Sequence, residues 1–267
     1  MPNAIWKGSI SFGLVTIPVS LFSAEDAEAR LSFRLLDERD LAPVRNRRVN
    51  SKTGKDVPWE HIVKGYEIEE GHWIVLTEDD FRAANVEATQ TIDVLAAVCA
   101  EDIDSKYFDK PYYLEPTKAG RKAYALLREA LREAGRVAVC RIVIRTREHL
   151  AALVPDEDAL VLEIIRFPYE LRGTQDLDLP SADLGAAGVT DAELAMAKQL
   201  LASIEKPFAA EEYRDTYRDD LLALIENKAG GGEVAVPAPP AEEAEGEVVD
   251  IMELLKRSLE EASGKQA

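Results

Sequence analysis

Residues 8–24 read GSISFGLVTIPVSLFSA, and this stretch decides the class of fold. Its apolar residues occupy even positions up to Leu14 and odd positions from Val15 onward. Alternation with a period of two is typical of half-buried strands, and the change of phase predicts two strand segments joined by a bulge or bend near Gly13. The run is too short and too rich in hydroxyl side chains to predict a membrane span, and no export signal is expected.

Further strand-like runs follow, rich in β-branched and aromatic residues. Many strands with few helices between them favour an antiparallel barrel or sandwich. The predicted strands lie at residues 31–36, 72–77, 91–100, 137–146 and 159–167.

Helices are predicted later in the chain. Residues 118–135 form one helix that ends at a glycine. A capping box of Thr190 and Glu193 begins a second helix, and a third runs over 213–228. The last two are expected to form a helical hairpin arm over residues 190–228, and such an arm needs a surface to pack on.

The C-terminal region separates into a linker and a helix. Residues 229–247 contain four glycines, three prolines and five glutamates, which predicts a disordered linker. Residues 248–267 then place apolar side chains on one helical face. Because so short a helix is marginal alone in water, we expect it to fold in the groove of a partner. Docking back onto the chain's own core is the alternative.

Composition argues against most kinds of catalysis. The chain has a formal net charge of -18, and its two cysteines, Cys99 and Cys140, provide no disulfide framework, which favours a reducing cytoplasm. The three histidines lack ligand spacing, and no phosphate-binding loop or nucleophile elbow is present. We therefore expect no catalytic residue, no metal and no cofactor. Acid pairs such as Asp79 and Asp80 are more typical of solvated turns than of magnesium sites.

Positive charge is concentrated in a few places. Residues 30–55 carry eight basic and three acidic side chains, and the stretch RNRRVNSKTGK at 45–55 has no acid at all. A second basic stripe lies on the predicted helix after Lys118, and Arg141, Arg145 and Arg147 are expected to share one face of a strand. Lysine and arginine without interleaved aromatic residues suit phosphate contact, so we predict binding to duplex DNA without sequence preference. The candidate DNA-binding residues are Arg30, Arg34, Arg45, Arg47, Arg48, Lys52, Lys55, Arg121, Arg128 and Arg132.

Six long motifs carry a resemblance to a known family: AIWKGSISFGLVTIPVSLFSA, KDVPWEHIVKGYEIEEGHWIVLTEDDF, DIDSKYFDKPYYLEP, LVLEIIRFPYELR, ELAMAKQLLASI and VVDIMELLKRSLE. In this order, they resemble the bacterial Ku proteins of non-homologous end joining. The resemblance implies a mixed β+α fold: a β-barrel core with an inserted bridge, a C-terminal helical arm and a flexible tail. It also implies a homodimeric ring that threads onto double-stranded DNA ends, has no enzymatic activity, and recruits and stimulates the ATP-dependent DNA ligase D. A cytoplasmic, nucleoid-associated protein is expected.

Carried over to this sequence, the resemblance assigns residues 1–189 to the core, about 30–70 to the bridge and 190–228 to the dimerising arm. It also implies that the tail recruits the ligase through Ile251, Met252, Leu254, Leu255, Lys256 and Arg257.

Two departures from the family pattern matter. The bridge reads VNSKTGK where many relatives have cysteines, so a zinc site is not expected there. The chain lacks the lysine-rich extension of some relatives, so DNA binding is expected through the ring alone. A protein-only assembly factor and a β-barrel metal-dependent nuclease are the alternative functions.

Overall fold

The computed structural model describes residues 3–26, 29–84, 90–231 and 251–264. The chain divides into two compact units, Met1–Gly173 and Thr174–Ala267. The strands are β1 (Trp6–Phe12), β2 (Val15–Ser23), β3 (Lys64–Glu69), β4 (His72–Leu76), β5 (Thr91–Val98), β6 (Phe108–Pro116), β7 (Val137–Ile144), β8 (Arg147–Asp156) and β9 (Ala159–Ile165). The helices are α1 (Glu78–Ala84), α2 (Arg121–Ala134), α3 (Asp191–Ile204), α4 (Thr216–Ala229) and α5 (Ile251–Gly264).

Seven of the strands close into a barrel in the order β1, β2, β6, β9, β8, β7, β5. Neighbouring strands are antiparallel except β5 and β1, whose parallel pairing closes the barrel. The interior is filled by aliphatic side chains, among them Ile10, Leu21 and Leu153, which are fully buried. The barrel and its helices confirm the mixed β+α class.

The stretch at 8–24 forms a β-hairpin, so the two predicted strand segments are present, and the bulge or bend predicted near Gly13 is a two-residue chain reversal. Phe12 pairs with Val15 across a two-residue turn, in which Gly13 has a φ of 60°. Because glycine has no Cβ, it adopts this left-handed backbone conformation at little cost. Ile10 lies opposite Ile17, and both are fully buried. The change from even to odd positions is therefore the mark of a reversal, because opposed residues of a hairpin share one face.

The strand prediction at residues 31–36 was also wrong. In this segment only Leu36 makes a bridge, to Pro43, and Phe33 and Leu35 are exposed. Among the described strands, none of the barrel pairs with this segment to accept its backbone hydrogen bonds, so alternation alone does not make it a strand. Conversely, β3, β6 and β8 were missed, since lysine, proline and acidic residues weaken their alternation.

Helix α2 closes one end of the barrel. Tyr124, Leu127 and Leu131 belong to the same buried cluster as the barrel interior. The Tyr124 hydroxyl donates to the carbonyl oxygen of Leu114 at 2.8 Å and accepts from the backbone N–H of Leu160 at 2.6 Å. The helix therefore acts as a plug that is hydrogen-bonded to two strands.

The segment between β2 and β5 is an insertion into the barrel. It contains irregular loops, the two-stranded sheet β3–β4 and helix α1. In the described part of the insertion, every residue of β3 is exposed, and so is every residue of β4 but the last. A two-stranded sheet is marginal in water by itself, and the described residues leave both strands of this hairpin largely exposed.

The second unit contains α3, α4 and α5. The predicted capping box begins α3, with the N–H of Glu193 donating to the Thr190 hydroxyl at 3.3 Å. Among the described residues, α3 packs more extensively on α5 than on α4, which differs from the simple hairpin arm expected over 190–228. The predicted linker, beyond Gly231, lies outside the described residues, as do 248–250 and 265–267 of the predicted tail helix.

Candidate nucleic-acid interface

The basic loop, residues 45–55, is ordered by hydrogen bonds between its own residues. Asn50 is the organising residue, because its side-chain oxygen accepts from the N–H groups of Lys52 at 2.9 Å and Thr53 at 3.0 Å. Gly54 returns the chain in a left-handed conformation, with a φ of 67°, and its N–H donates to the Asn50 carbonyl at 2.8 Å. These bonds form a tight turn, typical of asparagine and glycine, that presents exposed lysines.

The cations of this region divide into engaged and free side chains. Arg47 forms an ion pair with Asp56, and the Arg48 guanidinium lies 4.5 Å from the centroid of the Trp59 ring. Arg39 pairs with Asp37 at 2.5 Å, and this pairing lowers the pKa of the Asp37 carboxyl. Within the described ranges, the charged groups of five candidates have no partner, namely Arg30, Arg34, Arg45, Lys52 and Lys55. These five are available to phosphates.

The basic stripe on α2 has a structural role. Arg128 donates to the backbone carbonyl of Asp158 at 2.5 Å and pairs with Glu129 at 2.8 Å, and its side chain is only 16% exposed. Arg132 donates to the Glu157 carbonyl in the same β8–β9 turn. Both arginines therefore connect α2 to that turn by hydrogen bonds. Arg121, at the start of the helix, is exposed.

Arg141, Arg145 and Arg147 do not share one face, so that prediction was wrong. A two-residue turn at 145–146 separates β7 from β8 and shifts the parity. Arg147 lies opposite Ile144, and His149 lies opposite the buried Ile142, whereas Arg141 lies opposite Leu150. Arg147 therefore points towards the barrel interior, and Arg141 towards the outside.

The open end of the barrel holds a cavity of about 460 Å³ with a partly basic rim. Lys110, Arg145, Arg147 and His149 are among its lining residues, and burial lowers the pKa of His149. Carboxylates neutralise most of this charge. Lys110 pairs with Glu25 at 3.4 Å, and Arg147 pairs with Glu170. We therefore do not assign an anion site to this cavity.

The described ranges contain no group of three or more histidine, cysteine, aspartate and glutamate side chains arranged to hold a metal ion. Across the same ranges, no helix combines the length and apolarity that a membrane crossing requires.

The six predicted ligase-binding residues lie on different sides of α5. Met252 and Leu255 are half-buried, whereas the other four, Ile251, Leu254, Lys256 and Arg257, are exposed. Arg257 also lies 3.5 Å from Glu261, one helical turn later.

Sequence reasoning missed the apolar surface of the insertion. Large side chains are exposed in its loops and on both faces of its hairpin, since Tyr66 lies opposite Ile74 and Trp73 lies opposite Glu67: Phe33 by 67%, Trp59 by 72%, Tyr66 by 66% and Trp73 by 60%. Monomeric proteins rarely expose apolar side chains in such a concentration, so the surface is typical of an interface. The sequence did contain a signal of this surface, namely the aromatic residues of KDVPWEHIVKGYEIEEGHWIVL. No helix that could cover them is predicted in this part of the sequence.

The family model and the curated relatives agree on one family. The Ku70/Ku80 beta-barrel domain family matches residues 11–196. The non-homologous end joining protein Ku of Cupriavidus necator is 47% identical, over 97% of this chain and 78% of its own length. The protein of the same name from Pseudomonas aeruginosa is 43% identical, over 99% of this chain and 90% of its own length. The crystal structure of the SPOC domain of human PHD-finger protein 3 aligns with a TM-score of 0.31 and 13% identity, over 61% of this chain and 97% of that one.

Proposed function

This chain belongs to the bacterial Ku family of non-homologous end joining proteins, and on that premise we propose that two copies form a ring around the end of a DNA duplex. The ring binds phosphates without regard to base sequence. The bridge at about 30–70 and the arm at 190–228 join the two copies, and the tail at 248–267 recruits the ATP-dependent DNA ligase D. The protein acts as a binding factor in break repair and performs no chemistry of its own.

The observation that carries this proposal is the character of the inserted segment. It exposes aromatic side chains such as Trp59 and Trp73 that need cover, which a second copy of the chain would supply. The same segment carries free cations, including Arg45, Lys52 and Lys55, that need an anionic partner. A ring built on this segment satisfies both requirements, because it buries the apolar surface between copies and turns the cations towards an enclosed duplex.

The net charge of -18 is compatible with this function. At physiological ionic strength, charges more than about 8 Å apart are largely screened when they are exposed to solvent. A duplex inside the ring therefore interacts mainly with the nearby lysines and arginines, and acids on the outer surface repel DNA from the wrong side. If each copy neutralises three or four phosphates, the logarithm of the affinity falls with the logarithm of salt concentration with a slope of about -5 to -7.

Enclosure is tested by comparing linear DNA with covalently closed circular DNA of equal length and sequence. A ring must enter from an end, so we expect gel-shift binding to the linear duplex and little binding to the circle. Ligating the linear DNA into a circle after binding should retain the protein through a high-salt wash, and cutting that circle should release it. Equal affinity for both forms, or loss of protein from the ligated circle in the wash, would contradict enclosure.

A further inference from the structure

The tail helix α5 rests on α3 through one of its two apolar sides. Met252, Leu255 and Leu259 recur at i, i+3 and i+7, share one helical face and are all half-buried. Ile251 and Leu254 lie on another side and remain exposed by 61% and 48%. The helix is thus partly covered, and apolar surface remains on the uncovered side.

Helix α3 packs on α5, and we assign this contact to a side of α3 whose apolar residues are half-buried. Met196, Ala197 and Leu200 are half-buried and neighbour one another on that helix. Leu201 and Ile204 stay exposed by 64% and 59%. We call the covered side, residues 196, 197 and 200, the resting face of α3.

This contact is small, which suits a reversible state. None of the residues 191–204 and 251–261, for which burial is described, is fully buried. A fourteen-residue helix such as α5 is only marginally stable alone, so the contact also supports its helical form. Nineteen residues join Gly231 to Ile251, so the contact of α5 with α3 forms within one chain and needs no second molecule. Weak docking is therefore enough to populate the resting state.

We propose that the resting face of α3 and the DNA ligase compete for the same side of α5. This inference rests on the proposed function, because Met252 and Leu255 belong both to the contact with α3 and to the proposed ligase-binding set. The ligase must then displace α5 from α3, or bind it in the moments when it is undocked. A docked-to-free ratio on the order of ten would weaken the apparent affinity for the ligase about tenfold.

The test uses the full-length chain, two variants and one matched control. Leu200→Glu places a charge in the resting face. Leu201→Glu places the same charge one residue further on, on the exposed side of α3. Met196→Glu places a charge at a second position of the resting face, so both variants leave the tail helix itself unaltered. Circular dichroism and solution mass verify that each variant folds and associates like the parent chain.

Two quantities are measured for each protein. Hydrogen exchange at the amides of residues 251–264 reports docking, and the dissociation constant for purified ligase D of the same organism reports recruitment. We expect exchange to quicken about tenfold, and the ligase to bind about tenfold tighter, in Leu200→Glu and Met196→Glu. Leu201→Glu should match the parent chain in both measurements.

The outcomes separate the two proposals. Equally fast exchange in the parent and in both contact variants would show that α5 does not rest on α3. Faster exchange with an unchanged ligase affinity would overturn the competition and leave recruitment by the tail intact. Failure of the ligase to bind any of the proteins would overturn the recruiting role of the tail and the competition with it, while exchange would still report the docking.

Discussion

At the scale of single residues, Tyr124 connects the plug helix to the barrel. Its hydroxyl both donates and accepts a hydrogen bond, to strands β6 and β9, and its side chain is only 5% exposed. Burial also raises the pKa of this hydroxyl, which therefore stays protonated and able to donate at neutral pH. The sequence predicted the helix and its final Gly135, but no periodicity could reveal that one tyrosine bonds to two distant strands.

Removing this hydroxyl should destabilise the core. Tyr124→Phe leaves the Leu114 carbonyl and the Leu160 N–H without their buried partner, which costs about 1–3 kcal/mol of unfolding free energy. Urea denaturation followed by fluorescence measures the loss. Tyr113→Phe, at an outward and 45% exposed position of the same strand as Leu114, is the control and should change stability by less than about 0.5 kcal/mol. Equal effects of both changes would contradict the role of Tyr124.

The two cysteines should differ sharply in reactivity. Cys140 is fully buried, and burial raises the pKa of its thiol to about 12, whereas Cys99 is partly exposed. The thiolate is the reactive form, so at pH 8 Cys140 is almost entirely protonated as well as inaccessible. Iodoacetamide should modify only Cys99 in the folded protein and both residues in urea, as counted by mass spectrometry. Modification of Cys140 at the rate of Cys99 in the folded protein would contradict its burial.

At the scale of elements, parity explains where the sequence misled. An apolar residue at an even position before a two-residue turn faces the same way as one at an odd position after it, as Ile10 and Ile17 do. The sequence interpretation did not include such a turn near Gly13, so it predicted a bulge or bend instead of a hairpin. For the same reason it placed Arg147 on the same face as Arg141. Long elements with clear start and stop signals, such as α2 and α3, were predicted well because their caps are local.

The basic loop and the α2 stripe should respond differently to loss of charge. Arg45, Lys52 and Lys55 have free charged groups, so replacing all three by alanine should weaken binding to every duplex sequence alike. Since two copies contribute, the salt slope should shrink by up to about 5. Fluorescence anisotropy with linear DNA at several salt concentrations gives the slope.

The matched control removes two engaged arginines instead. Arg128→Ala with Arg132→Ala breaks the bonds between α2 and the β8–β9 turn. It should lower the melting temperature and leave the salt slope unchanged. A reduced slope in this control, or an unchanged slope in the loop variant, would move the phosphate contacts from the loop to α2.

At the scale of the whole molecule, composition concealed the distribution of both charge and apolar surface. A total of -18 argues against DNA, whereas the local excess of basic residues at 30–55 argues for it. The barrel could be predicted from the sequence, because the apolar residues that fill its core come from alternating positions of its strands. The apolar surface of the insertion was not, because exposure depends on what covers a residue rather than on its type.

Disrupting that apolar surface should separate the two copies. Trp73→Glu places a charge on an aromatic position of β4 that is 60% exposed in the single chain. We expect the parent protein to sediment at twice the chain mass of 29.5 kDa and the variant at the chain mass, with a loss of binding to linear DNA. Leu126→Glu, at an exposed position of α2, should remain dimeric. A parent protein that sediments as a single chain with and without DNA would contradict the ring.

The parallel closure of the barrel also bears on synthesis by the ribosome. Ser9 pairs with Thr91, so one neighbour of the first strand is made 82 positions later. At about 5–20 residues per second, that interval lasts on the order of 4–16 seconds. Phe33, Trp59 and Trp73 emerge within it, before the barrel that carries them can close. Nascent chains on neighbouring ribosomes therefore expose apolar side chains that can associate before folding is complete. We expect growth at lower temperature, or added chaperone, to raise the yield of soluble protein.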